Sequence, residues 1–166
     1  MNGTSWGNFP RAKQTVRRVD WLTDADLKID KTVLPYAYGR SYGDSCLNDG
    51  GTLLDVSGAG RLIAFDPATG VVRAEAGLSL AQLLAFAVPR GFFLPVTPGT
   101  KYVSLGGAVA NDIHGKNHHR AGTFGRHVRA FELLRSDGLK RVCSRTENPE
   151  LFAATVGGLG LTGLIT

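Results

Sequence analysis

The chain has 166 residues, enough for one ordinary domain or a pair of small lobes sharing a groove, and too few for a multi-domain enzyme. Hydrophobic residues make up 43% and charged residues 20%, which excludes a disordered chain; 22 glycines are well above the usual share and point to backbone positions that need positive φ or close approach. Nineteen Lys and Arg against 14 Asp and Glu give a net charge of +5, which favours an anionic ligand without identifying it.

The first thirty residues carry Trp6, Arg11, Lys13, Arg17, Arg18 and Asp20 with no apolar run, so neither a signal peptide nor a membrane span is written there. The expectation is a soluble, cytoplasmic protein. Cys46 and Cys143 form no Cys-x-x-Cys pair, which argues for structural thiols over a disulfide scaffold or a thiolate zinc site.

Residues 1–31 read as a polar N-terminal lead-in, with a short helical pattern at Ala25, Leu27 and Ile29 that Thr23 or Asp24 would cap. Thr32 to Tyr36 predicts a strand running into the glycine-rich loop Gly39-Arg40-Ser41-Tyr42-Gly43-Asp44, and Thr52 to Val56 predicts the next strand. Arg61 to Phe65 and Val71 to Ala76 flank Asp66-Pro67-Ala68-Thr69-Gly70 and predict a hairpin. Ser79 and Gln82 have capping-box spacing ahead of Leu80, Leu83, Leu84 and Val88, a helix that Pro89 and Gly91 stop.

Phe92 to Val96 reads as a buried strand leading to Pro98-Gly99-Thr100. Ser104 to Ala110 then offers small residues that bring a helix N-terminus close to a ligand. Val128 to Leu134 and Leu139 to Cys143 predict a second hairpin around Ser136-Asp137-Gly138, and Asn148-Pro149 predicts a helix through Val156. Leu161 to Thr166 reads as a strand with no turn or cap after it, so the chain is expected to be a piece of a larger protein, with this strand completing a sheet.

The glycine-rich segments 39–44, 99–107 and 157–163 each offer backbone N–H groups, and convergent N–H groups are what a diphosphate needs. Neither Gly-x-Gly-x-x-Gly nor a P-loop is present, which implies a different nucleotide cradle.

All four histidines, His114, His118, His119 and His127, stand beside Lys116, Arg120, Arg126 and Arg129. The i, i+4 pair His114 and His118 suggests a metal, but no carboxylate follows and the neighbouring cations repel one, so no metal site is assigned. His114 follows Ala110-Asn111-Asp112-Ile113 directly after the close-approach glycines and is expected to face whatever they admit. There an imidazole, or the ammonium of Lys116, would stabilise a developing anion. A second reading is a non-catalytic basic module contacting nucleic-acid phosphates through Lys116 to Arg129, although Phe124 is the one aromatic interleaved there.

Four strings together carry a resemblance: Tyr36-Ala37-Tyr38-Gly39-Arg40-Ser41-Tyr42-Gly43-Asp44-Ser45, Pro98-Gly99-Thr100, Leu105 through Asp112-Ile113-His114-Gly115-Lys116-Asn117-His118-His119, and Ala154 through Gly157-Gly158-Leu159-Gly160-Leu161-Thr162-Gly163. In order and interval they resemble the FAD-binding, PCMH-type domain of the vanillyl-alcohol-oxidase type of FAD-linked oxidases, from about residue 32 to residue 166.

The resemblance implies an α+β, two-lobed, β-rich domain with short helices, spanning 32–166, with FAD between the lobes and a substrate domain beyond this chain. Carried over by position, Gly39, Arg40, Ser41, Tyr42, Gly43 and Asp44 would hold the diphosphate. Gly99, Ser104, Gly106, Gly107 and Asn111 would line the flavin, with His114 and Ile165 in contact with the cofactor. His114, Gly115 and Lys116 would border the substrate pocket.

In relatives with covalent flavin a histidine occupies the place of Arg40, so FAD is expected to be non-covalent. Some relatives have Arg-Gly where this chain has Tyr36-Ala37, so any contact made by that arginine does not carry over. The implied activity is hydride transfer to FAD from a CH–OH group of a sugar, sugar alcohol or polyprenyl-phosphate sugar, the substrate being a small molecule or lipid-linked sugar. Nucleic acid is not an expected partner, and peripheral membrane association is compatible with the full-length protein. No catalytic base is assigned from this segment.

Overall fold

In the computed structural model, residues 3–28 and 31–166 are described. The first sheet has three parallel strands, β1 (Thr15–Arg18), β2 (Val33–Tyr36) and β3 (Thr52–Asp55), in the order β1-β3-β2. All four residues of β3 are buried because the strand is central and packed on both faces. Leu53 joins Leu34 and Tyr36 on one side, and Leu54 joins Val19 and Leu22 on the other, as alternation along a strand requires.

The sequence reading found no strand before Thr32, yet β1 pairs with β3 along its whole length. Its Thr-Val-Arg-Arg sequence hides it, since three of the four side chains of this edge strand are exposed and leave no apolar signal. The expected helical pattern after Thr23 is a single 3₁₀ turn at Leu22–Asp24, with Ala25 and Leu27 packed against the Val19 and Leu54 cluster from non-helical backbone. Ile29 lies outside the described residues.

The hairpin of β4 (Leu62–Asp66) and β5 (Val71–Ala74) is antiparallel, with Gly70 at φ 71° closing its turn. Helix α1 (Leu80–Ala87) has the expected box: Ser79 Oγ accepts from the Gln82 N–H at 3.2 Å, and the Ser79 N–H donates to Gln82 Oε1 at 3.0 Å. The helix stops at a 3₁₀ turn over Val88–Arg90 and at Gly91, φ 83°.

Phe92 to Val96 is not a strand. The Phe92 N–H turns back to the Ala87 carbonyl, Pro95 has no N–H to donate, and Phe93 is 68% exposed. The apolar run has another cause: the Phe92 ring meets Phe65 edge-on at 5.3 Å, and Val96 alone is fully buried.

Helix α2 (Leu105–Ala110) is capped by Ser104, α3 (His118–Ala121) is one turn, and α4 (Pro149–Thr155) starts with Pro at its first position. The second sheet is antiparallel, in the order β7-β6-β8, from β6 (Ala130–Leu134), β7 (Lys140–Ser144) and β8 (Leu164–Ile165). The expected terminal strand is thus confined to two residues, Leu164 opposite Leu134 and Ile165 opposite Leu133.

Leu80, Val96, Val109, Phe131, Leu133 and Phe152 share one core, in which Phe131 and Phe152 stack at 5.2 Å. Leu134 and Leu164 instead pack with Leu54 and Val56, so the second sheet is tied to the first through side chains of β6 and β8. Mixed sheets with short helices make this an α+β domain.

Candidate cofactor site

A cleft of about 680 Å³ opens where the Gly39 loop, the α2 segment and the β8 end meet. It is lined by Gly39, Arg40, Ser41 and Tyr42 from the first, by Gly99, Ser104, Gly106, Gly107, Asn111 and His114 from the second, and by Ile165 from the third. Eleven of the sequence-predicted site residues therefore stand around one space.

The remaining four do not line it. Gly43 and Asp44 are exposed on the far turn of their loop. Gly115 is buried against residue 97, where an added Cβ would lie 2.6 Å from the Thr97 carbonyl oxygen, so its glycine requirement is packing. Lys116 is exposed beyond it.

The two glycine segments do different work. The N–H groups of Leu105, Gly106 and Gly107 already donate to the Leu78 carbonyl, the Ala76 carbonyl and Ser104 Oγ, at 2.8, 2.8 and 3.0 Å. The expectation that this stretch offers free amides is thereby corrected. Gly106 serves close approach instead, since a Cβ there would meet the Ala76 methyl at 2.9 Å.

In the Gly39 loop the amides of Tyr42, Gly43 and Asp44 donate to no acceptor among the described residues. Gly39 and Gly43 both sit at φ 60°, the left-handed conformation that turns successive amides outward. Tyr42, with Gly39, Arg40 and Ser41, belongs to the cleft lining, while the Gly43 and Asp44 amides lie on the exposed turn beyond it. Gly99 borders open space, since a Cβ there would meet nothing within 4 Å. The volume falls within the range of cofactor pockets.

The Asp112 turn aims His114 at the cleft. Asp112 adopts φ 41° and its carboxylate accepts the Gly125 N–H at 2.8 Å, which fixes the chain just before the histidine. The His114 ring then meets the edge of His118 at 5.3 Å, and His118 that of His119 at 6.1 Å. Among the described residues no three His, Cys, Asp or Glu side chains stand close enough to hold a metal ion.

Several lining residues were not assigned to the site from sequence: Trp6, and Tyr38, Thr155, Leu159 and Gly160, which stood only within the strings that carry the resemblance. Tyr38 donates to the Gly77 carbonyl at 3.0 Å, and burial pushes its hydroxyl, like that of Tyr36, above the ordinary tyrosine value. Burial likewise raises the Cys46 thiol, which keeps it protonated and inert beside the cleft. Leu159 takes φ 54° and its N–H bonds the Ala110 carbonyl at 2.8 Å, a placement set by tertiary contact with α2.

The FAD binding domain family matches residues 13–144, and the chain belongs to that family, with FAD as its cofactor. It is 48% identical over 134 residues to decaprenylphosphoryl-beta-D-ribose oxidase of Mycolicibacterium smegmatis, covering 80% of this chain and 29% of that protein. It is 30% identical over 114 residues to a putative D-arabinono-1,4-lactone oxidase of Neurospora crassa, covering 69% and 20%. It is also 26% identical over 148 residues to a Delta(24)-sterol reductase of Homo sapiens, covering 89% and 25%. The chain thus spans less than a third of the length of these relatives.

Proposed function

We propose that this chain is the cofactor domain of a flavin-dependent oxidoreductase that oxidises a CH–OH group of a sugar, sugar alcohol or polyprenyl-phosphate sugar, with FAD held non-covalently between two lobes. The observation that carries the reading is the meeting of Gly39–Tyr42, Gly99–Gly107 and Ile165 around one cleft with His114 on its wall, in a chain 48% identical to an oxidase of a lipid-linked ribose. The parallel sheet with its Gly39 loop supplies one lobe, and the β7-β6-β8 sheet with α4 the other.

FAD supplies the acceptor that takes a hydride from the carbinol carbon. This chain's residues bind and orient it. The Gly39–Tyr42 loop with its Arg40 guanidinium would hold the diphosphate, and Gly99, Gly107 and Ile165 would border the ring system. Arg40 stands where a covalent attachment would need a histidine, which supports non-covalent binding. His114 on the cleft wall, with Lys116 exposed beyond it, would border the substrate pocket. No residue of this chain is assigned as the base that removes the hydroxyl proton.

A lipid-linked substrate would bring the full-length protein, cytoplasmic by this reading, to a membrane surface. Among the described residues no helix is long and apolar enough to cross one. Anaerobic mixing of the full-length, flavin-loaded protein with a polyprenyl-phosphate pentose, an alditol and a sugar lactone tests the substrate class. Bleaching of the flavin band by one of them supports the reading, and bleaching by none of them contradicts it.

A further inference from the structure

The segment Gly3–Asn8 lies outside the family match and outside the region of resemblance, yet it is seated against the cleft. Gly3 is buried where a Cβ would meet Leu53 Cδ1 at 2.5 Å, and its carbonyl accepts Gln14 Nε2 at 2.7 Å. The Tyr36 hydroxyl grips Thr4 twice, accepting its N–H at 3.1 Å and donating to its carbonyl at 2.8 Å. Ser5 is 2% exposed, and the Trp6 N–H donates to the Ser41 carbonyl at 3.0 Å. The Tyr36 hydroxyl and the Ser41 carbonyl therefore fix the segment at two points that bracket Gly39 and Arg40.

That anchoring delivers one large side chain to the cleft. Trp6 is among its lining residues and remains 51% exposed, an indole held by its own backbone but left without full cover. The Arg40 guanidinium carbon stands 5.4 Å from the indole ring centre, a cation–aromatic contact between two residues that line the cleft. An aromatic face and a weakly hydrated cation, side by side on a cleft wall, are complementary to a nucleotide: the face to a planar ring or sugar, the cation to the diphosphate.

We infer that Trp6 is a cofactor-binding residue, and that Gly3–Asn8 is a clamp that presents it against FAD while orienting Arg40 toward the diphosphate. The inference rests on the FAD cleft proposed above and extends it to a segment that the family match does not reach. The clamp and the cofactor are then linked: ordering either one favours the other.

The test uses the full-length protein with FAD as the probe. FAD dissociation constants are measured for the parent and for Trp6→Ala, Trp6→Phe and Trp21→Phe. Trp21 stacks with Arg61 at 3.5 Å and is absent from the cleft lining, so it controls for loss of any indole. Hydrogen exchange of the amides of residues 4–8 is followed in the parent with and without FAD.

Trp6→Ala is expected to weaken FAD binding about tenfold or more, Trp6→Phe about threefold or less, and Trp21→Phe not at all. FAD is expected to slow exchange at residues 4–8. A Trp6→Ala protein that binds FAD within twofold of the parent overturns the inference. So does unchanged exchange in the parent, which stays readable if the alanine variant does not fold. A parent that takes up no FAD defeats the proposed function itself, a result distinct from either of these.

Discussion

Ser41 and Asn111, seventy positions apart in sequence, face each other across the cleft with Oγ and Oδ1 3.5 Å apart. The amide of Asn111 is held at its other end, where Nδ2 donates to the Gly107 carbonyl at 2.8 Å. One side chain therefore links the C-terminal end of α2 to the Gly39 loop.

Asn111→Ala removes this span. The expected cost is about 1 kcal/mol of stability, the usual worth of one such bond, together with a several-fold loss of FAD affinity in the full-length protein. Thermal unfolding and FAD titration check both; unaltered affinity would show that the two walls are held apart by other means.

Tyr36→Phe removes the hydroxyl that bonds both the N–H and the carbonyl of Thr4. Leaving both groups without it should cost about 1–3 kcal/mol and speed hydrogen exchange across residues 3–8. The burial that raises the Tyr36 hydroxyl above its ordinary value also sets a pH dependence. The folded state holds this proton more tightly than the unfolded one, so the associated stability is fully present below the unfolded value of about 10 and is lost as pH rises through the higher folded value. In the parent, release of the N-terminal segment should accordingly begin only above the ordinary tyrosine range, and release below pH 9 would contradict it.

Gly107→Val puts a Cβ 2.9 Å from Ser104 Oγ, the hydroxyl that caps α2 by accepting the Gly107 N–H. Displacing the cap costs about 1 kcal/mol and disturbs Ser104 and Gly107, both of which line the cleft. Flavin content after purification is expected to fall at least tenfold, with Gly107→Ala intermediate; full flavin content in the valine variant would remove Gly107 from the cofactor wall.

Asp137 sits in the β6–β7 turn, where the Arg141 guanidinium at 2.7 Å and the Leu139 N–H at 2.9 Å hold its carboxyl down to about 2. Its folded value is below its unfolded one, so its contribution is present above about pH 3.9 and disappears as pH falls through about 2. Asp137→Asn should lower the melting temperature at pH 7 and match the parent near pH 2. A gap independent of pH would mean that the Asn disturbs the turn by its shape alone.

Local chemistry was the legible part of the fold. Ser79 and Gln82, Asn148-Pro149 and the Asp66 to Gly70 turn carry their structural instructions within a few residues, and each element formed where its spacing placed it. β1 and Phe92 to Val96 failed in opposite directions for one reason. An exposed edge strand and a loop whose phenylalanine packs on Phe65 are both decided by tertiary neighbours that no short window contains.

The cleft follows the same division. The glycine strings and His114 announced themselves, whereas Trp6 arrives through the Tyr36 grip on Thr4, thirty-two positions distant, and Leu159 through its bond to Ala110. The role of the α2 glycines was misjudged because whether an amide is free depends on Ala76 and Leu78, which lie nearly thirty residues earlier.

The most direct measurement is flavin stoichiometry. The full-length protein, purified in its native fold and then denatured by heat or acid, is predicted to release one FAD per chain into the supernatant, with no flavin left attached to the polypeptide. Folded protein that contains no flavin and takes none up from added FAD would contradict a diphosphate cradle at the Gly39 loop, and flavin that stays with the denatured chain would contradict non-covalent binding beside Arg40.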